Sequence, residues 1–246
     1  MIETTPISKP SLSSAPFSGR DLLCIRGERV VFAELSFDIG PGDALLLLGP
    51  NGSGKSSLLR LLALLLHPAM GRLTWNGEPV DKNPETHGAR TRYLGHQDAI
   101  KPVLSLRENV AFWARLYGAG ETQVDKALEA FGLTALSGVP GRMLSAGQKR
   151  RTNLARLLAA PAPLWLLDEP TTALDKQSIA ILEALMAEHR SRGGMVILST
   201  HQDVVLPDAK LLTLDSFAPD PDRHGGLFLE DEPSIKDALA MKDASA

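Results

Sequence analysis

Residues 49–56 read Gly49, Pro50, Asn51, Gly52, Ser53, Gly54, Lys55 and Ser56, which satisfy the spacing G-x-x-x-x-G-K-[ST]. The five residues before this loop, 44–48, form a continuous apolar run of strand length. Beyond it, residues 54–66 carry leucines at helical spacing and Pro68 ends the pattern. A strand that delivers a glycine-rich loop to a helix N-terminus commits the chain to a layered α/β fold. It also commits the loop to a chemistry. Glycines let backbone N–H groups turn inward around phosphate oxygens, and the helix N-terminus adds partial positive charge. Lys55 can reach the β- and γ-phosphates, and the Ser56 hydroxyl can ligate Mg²⁺. By average residue frequencies a random chain of this length carries the pattern on the order of one time in a hundred, and the flanking context lowers that further.

The rest of the chain keeps the same rhythm of apolar runs and helical patterns. Residues 30–39 alternate and end at Gly40, Pro41 and Gly42, which reads as a strand and turn. Residues 72–75 read as a strand entering a turn at Asn76 and Gly77. Residues 164–167 and 195–200 are buried strands, whereas 101–118, 123–131 and 178–190 have helical spacing. In 246 residues there is room for one domain with a built-in subdomain. The net charge of −3 provides no global basic field to hold nucleic acid. No apolar run reaches the length of a membrane span, so any membrane role is expected to come through a partner. The Ser- and Pro-rich start lacks the apolar core of a secretory signal. Cys24 is the single cysteine, which points to a reducing compartment and provides no covalent haem attachment motif.

Two further motifs carry chemistry. Residues 164–167 are followed by Asp168 and Glu169, so an apolar strand ends in two carboxylates. The first can hold Mg²⁺ and the second can polarise an attacking water. Alone, this pair is no more than an acidic turn; beside the Lys55 loop it gains a role. The stretch Leu144, Ser145, Ala146, Gly147 and Gln148 opens a helix, with Ser145 at the cap. Lys149, Arg150 and Arg151 then occupy its first turns, where cations oppose the helix dipole. Their placement calls for a reason other than helix stability.

Together these motifs resemble the ATP-binding cassette (ABC) ATPases. The set continues through Pro170, Thr171, Thr172, Ala173, Leu174 and Asp175 to His201. Gln97 lies 42 residues after Lys55, Ser145 lies 90 after and Asp168 lies 113 after, and His201 follows Asp168 by 33. The resemblance implies an α/β fold of P-loop NTPase type, a mixed sheet core with an inserted helical subdomain. It places the folded domain at 19–215, with the core at about 19–97 and 157–215 and the helical insert at about 98–156; residues 1–18 and 216–246 are expected to be extensions outside it. ATP and Mg²⁺ are the implied ligands. Residues 49–56 with Ser57 would bind the phosphates; Ser56, Gln97 and Asp168 would serve the metal. Glu169 would be the catalytic base, with Gln97 and His201 as its catalytic companions. Ser145, Ala146, Gly147 and Gln148 would form the signature that clamps ATP held by the opposite protomer of a homodimer, with Asp175 at that interface. Ala146 departs from the family's usual glycine, a change tolerable where φ is negative. Arg26 stands where relatives place an aromatic ring on adenine, and a guanidinium plane can stack on a base.

A narrower resemblance rests on residues 93–97, Ile100 and Lys101, residues 162–165 and residues 192–203. These are similar to the ATP-binding subunits of cytochrome c maturation export complexes. That family implies a peripheral protein at the cytoplasmic face of a bacterial inner membrane. Its partners would be the membrane subunit CcmB with CcmC, CcmD and the haem chaperone CcmE, and its work haem export or release of the haem-loaded chaperone. Leu104, Leu106, Phe112 and Trp113 in the insert are candidates for the membrane-subunit contact, although apolar residues at this spacing also serve as local core. The rival readings are the ATP-binding subunit of another exporter and a soluble ABC ATPase without transport.

Overall fold

A computed structural model describes residues 15–27, 29–201 and 204–219. Two sheets organise them. Strands β1 (Phe17–Arg26), β2 (Arg29–Ile39), β4 (Met70–Trp75) and β5 (Glu78–Pro79) form an antiparallel sheet in the order β2-β1-β4-β5. Strands β3 (Ala44–Leu48), β6 (Thr91–Leu94), β7 (Leu164–Asp168), β8 (Met195–Ser199) and β9 (Lys210–Thr213) form a parallel sheet in the order β6-β7-β8-β3-β9. The expected mixture of strand directions is therefore divided between two sheets.

Alternation along the parallel strands decides which face meets which layer. Leu45, Leu47, Leu164, Leu166, Met195 and Ile197 point to one core, shared with the antiparallel sheet and α1 (Lys55–Leu62). Their neighbours Trp165, Leu167, Val196 and Leu198 point to a second core. Helices α3 (Leu106–Leu116), α4 (Glu121–Ala130), α5 (Ala146–Ala159) and α6 (Lys176–Ser191) close that side. Burial on both faces explains why β7 and β8 read as unbroken apolar runs. The helical insert consequently shares its apolar interior with the sheet, through Leu154 and Leu157 of α5.

Local signals set the helix ends. α1 stops at Leu62, short of the expected 66, and Leu64 takes a left-handed φ of 56° just beyond. α3 starts at Leu106 because Ser105 caps it, accepting from the Glu108 N–H while the Glu108 carboxylate accepts from the Ser105 N–H. The short helix α2 (Pro84–Arg90) is capped by Asn83 with proline at its first position.

Both expected domain edges move outward. Phe17 and Ser18, placed by sequence in the N-terminal extension, belong to β1, and Phe17 is wholly buried against Phe37 and Trp75. At the other end, Leu214–Phe217 form a 3-10 turn and Phe217 packs on the first core, beyond the expected limit of 215. Residues 1–14 and 220–246 of the two extensions lie outside the described residues.

Candidate functional site

The C-terminal ends of β3, β6, β7 and β8 converge on one edge of the parallel sheet, where ligands bind in open α/β folds. The loop after β3 is shaped by glycines that other residues could not replace. Gly54 caps α1 at φ 103°, and a Cβ there would lie 2.6 Å from Val31 Cγ1. Gly49 sits at φ 141°, with Ser53 Oγ 2.6 Å from where its Cβ would be. Lys55 is nearly buried and turns back on the loop, donating to the carbonyls of Gly49 at 2.6 Å and Pro50 at 2.9 Å. Ser53 Oγ is buried in the loop without a hydrogen-bond partner among the described residues. A loop that holds its lysine and a free hydroxyl at a helix N-terminus fits a phosphate chain.

Asp168 closes the cradle from below. Its Oδ1 accepts from Ser56 Oγ at 3.0 Å and Ser199 Oγ at 2.8 Å, while its buried Oδ2 has no hydrogen-bond partner among the described residues. A carboxylate oxygen left bare beside a serine hydroxyl fits a hard cation with its waters. Among the described residues no group of three His, Cys, Asp or Glu side chains gathers to hold a metal. Any cation here would take the remainder of its ligands from phosphate and water, as Mg²⁺ does.

Glu169 stands at the mouth. Its backbone adopts φ 49°, a strained conformation worth roughly 1–3 kcal/mol that surrounding bonds must offset. Its N–H donates to the Ser199 carbonyl at 3.0 Å. The His201 N–H donates to Glu169 Oε2 at 3.1 Å, and His201 Nε2 lies 3.4 Å from Oε1. That Oε1 atom is buried without a hydrogen-bond partner among the described residues, leaving a lone pair for a water proton.

A cavity of about 610 Å³ joins these parts, within the usual size of a ligand site. Asn51, Gly52, Gly54, Lys55, Ser56, Ser57, Glu169 and His201 line it, as does Arg26. Gln97 is not brought in: it is exposed on the loop after β6, and its neighbour His96 lines the cavity instead. The signature residues stand apart on the N-terminus of α5. Ser145 Oγ accepts from the Gln148 N–H at 3.3 Å, Gln148 Oε1 accepts from the Ser145 N–H at 2.9 Å, and Ser145 and Ala146 are exposed. Ala146 keeps a negative φ, so its methyl group costs no backbone strain. A Cβ on Gly147 would come within 3.0 Å of the Ala173 carbonyl, so this glycine lets α5 approach the loop after β7. Asp175 caps α6, accepting from the Ser178 N–H at 2.7 Å; hydrogen bonds from the Ser178 side chain and backbone hold its carboxyl below the usual range.

Five contributors have no role in the sequence reading. Arg29, Val31, His96 and Thr172 line the cavity, and Ser199 holds both Asp168 and the Glu169 backbone. Ser199 had a signal, since it ends an apolar strand two residues before His201.

Comparison with known proteins gives the family. The ABC transporter family model matches residues 32–172. A cytochrome c biogenesis ATP-binding export protein CcmA of Rhodospirillum rubrum is 72% identical over 218 residues, covering 89% of this chain and 94% of that protein. The CcmA of Paramagnetospirillum magneticum is 64% identical, covering 84% and 97%. Among solved structures, an ABC transporter ATP-binding protein from Pyrococcus furiosus superposes with a TM-score of 0.72 at 23% identity, covering 83% of this chain and all of that one. An ATP-binding cassette solved as a dimer in a post-hydrolysis state with ADP and Pi superposes with a TM-score of 0.66 at 23% identity, covering 76% and 88%. A phosphate loop, a two-carboxylate strand end and an outward-facing signature helix carried on this fold, taken with the family match and these identities, lead to one conclusion: the chain belongs to the ABC transporter family, as an ATP-hydrolysing subunit most like CcmA.

Proposed function

We propose that two copies of this chain sandwich two ATP molecules, each held by the Lys55 loop of one copy and the Ser145 helix of the other, and that hydrolysis drives an exporter for cytochrome c biogenesis. The observation that carries the reading is Glu169: its carboxylate is held by the His201 N–H, with one oxygen bare, at the mouth of the cavity that the phosphate loop lines. The separation of the signature from that cavity supports the sandwich, because a helix N-terminus facing outward can complete only a neighbour's site.

Lys55 leaves its two carbonyls for the β- and γ-phosphates as they enter. Ser56 and Asp168 would hold Mg²⁺, which when bound neutralises developing phosphate charge. Glu169 Oε1 accepts a proton from water in line with the γ-phosphate, and His201 fixes the carboxylate's direction. The Gln97 loop, exposed beside the cavity, closes toward it when the partner copy docks. Arg26 lies across the base. Opening after hydrolysis supplies the motion passed to the membrane.

Among the described residues no helix is long and apolar enough to cross a membrane, so the chain attaches at the cytoplasmic face of the inner membrane through a membrane subunit, CcmB, working with CcmC, CcmD and CcmE. A hollow of about 280 Å³ between the segment after α1, helix α2, β6, α3 and α5 suits that contact. Leu65 is exposed at its rim, the Arg92 guanidinium lies 3.4 Å over the Tyr117 ring, and Arg156 lies 3.6 Å over Trp113. Of the four residues first considered for this contact, Trp113 lines the hollow, Leu104 and Phe112 line a separate one with Glu108, Arg115 and Leu116, and Leu106 is wholly buried in the second core. The chain's work is haem export or release of the haem-loaded chaperone. Tagged Glu169→Gln chain, loaded with ATP and captured from detergent-solubilised native membranes, should bring down CcmB with cytochrome c maturation proteins. A different membrane subunit would reassign the exporter, and soluble partners alone would replace transport by a cytosolic role.

A further inference from the structure

Arg150 lies one turn inside α5 and is almost wholly buried, a cation in the first part of a helix where the dipole disfavours it. A guanidinium has five N–H donors. All five are used. Nε donates to the Pro170 carbonyl at 3.1 Å; Nη2 donates to the carbonyls of Asp168 at 3.0 Å and Glu169 at 2.5 Å; Nη1 donates to the Gly95 carbonyl and to Asp98 Oδ1 at 3.1 and 3.2 Å. Those acceptors belong to two separate segments. One is the end of β7 that presents Glu169 in its left-handed conformation; the other is the loop that carries Gln97 between Gly95 and Asp98. The arginine itself belongs to the helix that begins with Ser145.

We infer that Arg150 is a positioning residue that couples the signature helix to the catalytic carboxylate: when α5 seats on the partner copy's nucleotide, its guanidinium sets the Glu169 backbone and the Gln97 loop together. The inference rests on the proposed role of Glu169 and extends it. Four of the five bonds end on backbone carbonyls of the segments that must move in register, so a shift of α5 cannot leave either behind without breaking buried hydrogen bonds. The planar fork matters as much as the charge. Lysine offers three donors on a single flexible nitrogen and cannot span five acceptors around one plane.

The test uses the full chain, measuring MgATP turnover, affinity for a fluorescent ATP analogue and thermal stability for Arg150→Lys, Glu169→Gln and the double variant. Arg150→Lys should keep analogue affinity within about twofold and lower kcat about a hundredfold, as expected when a reacting group is displaced by an ångström or so. In the Glu169→Gln background the same change should cost no further turnover, because its route to the chemistry has already been removed. If Arg150→Lys fails to fold, Asp98→Ala serves instead. It removes the side-chain acceptor that the Gln97 loop offers to Arg150 at a partly exposed position, leaving the Gly95 carbonyl as the remaining bond, and should lower kcat with affinity and stability retained. A normal kcat in the variant tested, a loss that adds in full to that of Glu169→Gln, or a loss that tracks stability and affinity would each overturn the inference. An unchanged rate in Glu169→Gln alone would remove the base assignment and this inference together, whereas a normal rate in Arg150→Lys beside an impaired Glu169→Gln would remove this inference only.

Discussion

The Ser56 hydroxyl donates to Asp168 Oδ1 at 3.0 Å, joining the first turn of α1 to the end of β7 across 112 residues of chain. This bond aligns the phosphate loop with the carboxylate that would face the cation. Asp168→Ala leaves both Ser56 and Ser199 without their shared acceptor. The Mg²⁺ concentration needed for half-maximal turnover should rise roughly 10–100-fold, the usual effect of losing a residue that orients a metal ligand. A magnesium titration of ATPase rate checks it, and an unshifted midpoint contradicts it.

Lys55 donates to the carbonyls of Gly49 and Pro50, which keeps its ammonium group inside the loop that would wrap the phosphates. A charge-assisted hydrogen bond contributes about 1.5–3 kcal/mol, so Lys55→Ala should weaken ATP binding by roughly 10–150-fold. Equilibrium binding without turnover is the direct readout. Retained affinity would disconnect the loop from the phosphates.

Glu169→Gln keeps the shape of the side chain and its acceptor toward the His201 N–H but removes the base. Turnover should fall about 10²–10⁴-fold with ATP affinity retained. Single-turnover hydrolysis and nucleotide binding measured on the same preparation separate the two effects.

Acid sensitivity should come from a residue remote from the cavity. His189 on α6 stacks on Trp165 with ring centroids 3.9 Å apart, and burial presses its pKa down to about 4 despite hydrogen bonds to the Met195 and Pro163 backbone. An unfolded histidine titrates near 6.5. Between about 4 and 6.5 the unfolded chain therefore binds more protons than the folded one, so stability falls as pH drops through that window. At about 1.4 kcal/mol per pKa unit the loss approaches 3 kcal/mol at the acid end. Denaturant midpoints for wild type and His189→Phe across this range provide the check. The variant should show a flatter profile, and equal slopes would remove His189 as the cause.

How much of this was legible in the sequence follows from the kind of information each residue carries. The loop at 49–56 and the strand end at Asp168 and Glu169 were legible because their chemistry is local: fixed spacing, flanking apolar runs and glycines whose φ only glycine tolerates. β1 was missed because Gly19, Arg20 and Asp21 interrupt its alternation, where the ladder to β2 shifts register. β6 and β9 are four residues each, too short for periodicity to separate from a turn. Arg150 could be marked only as a cation in the wrong place. Its five acceptors lie 18 to 55 residues away along the chain, and no local pattern announces them. Gln97 shows the opposite limit, since its position in the motif order says nothing of whether its loop is drawn in before a second copy arrives.

In the proposed dimer, the site at which the Lys55 loop binds ATP is completed by a second copy of the chain. Multi-angle light scattering of the Glu169→Gln chain, with and without MgATP, reads this out. A 26.4 kDa monomer is expected without nucleotide and twice that mass with saturating ATP, reverting to monomer when Ser145→Arg is added to block the signature surface. A monomer at saturating ATP, or a dimer indifferent to nucleotide and to Ser145, would contradict it.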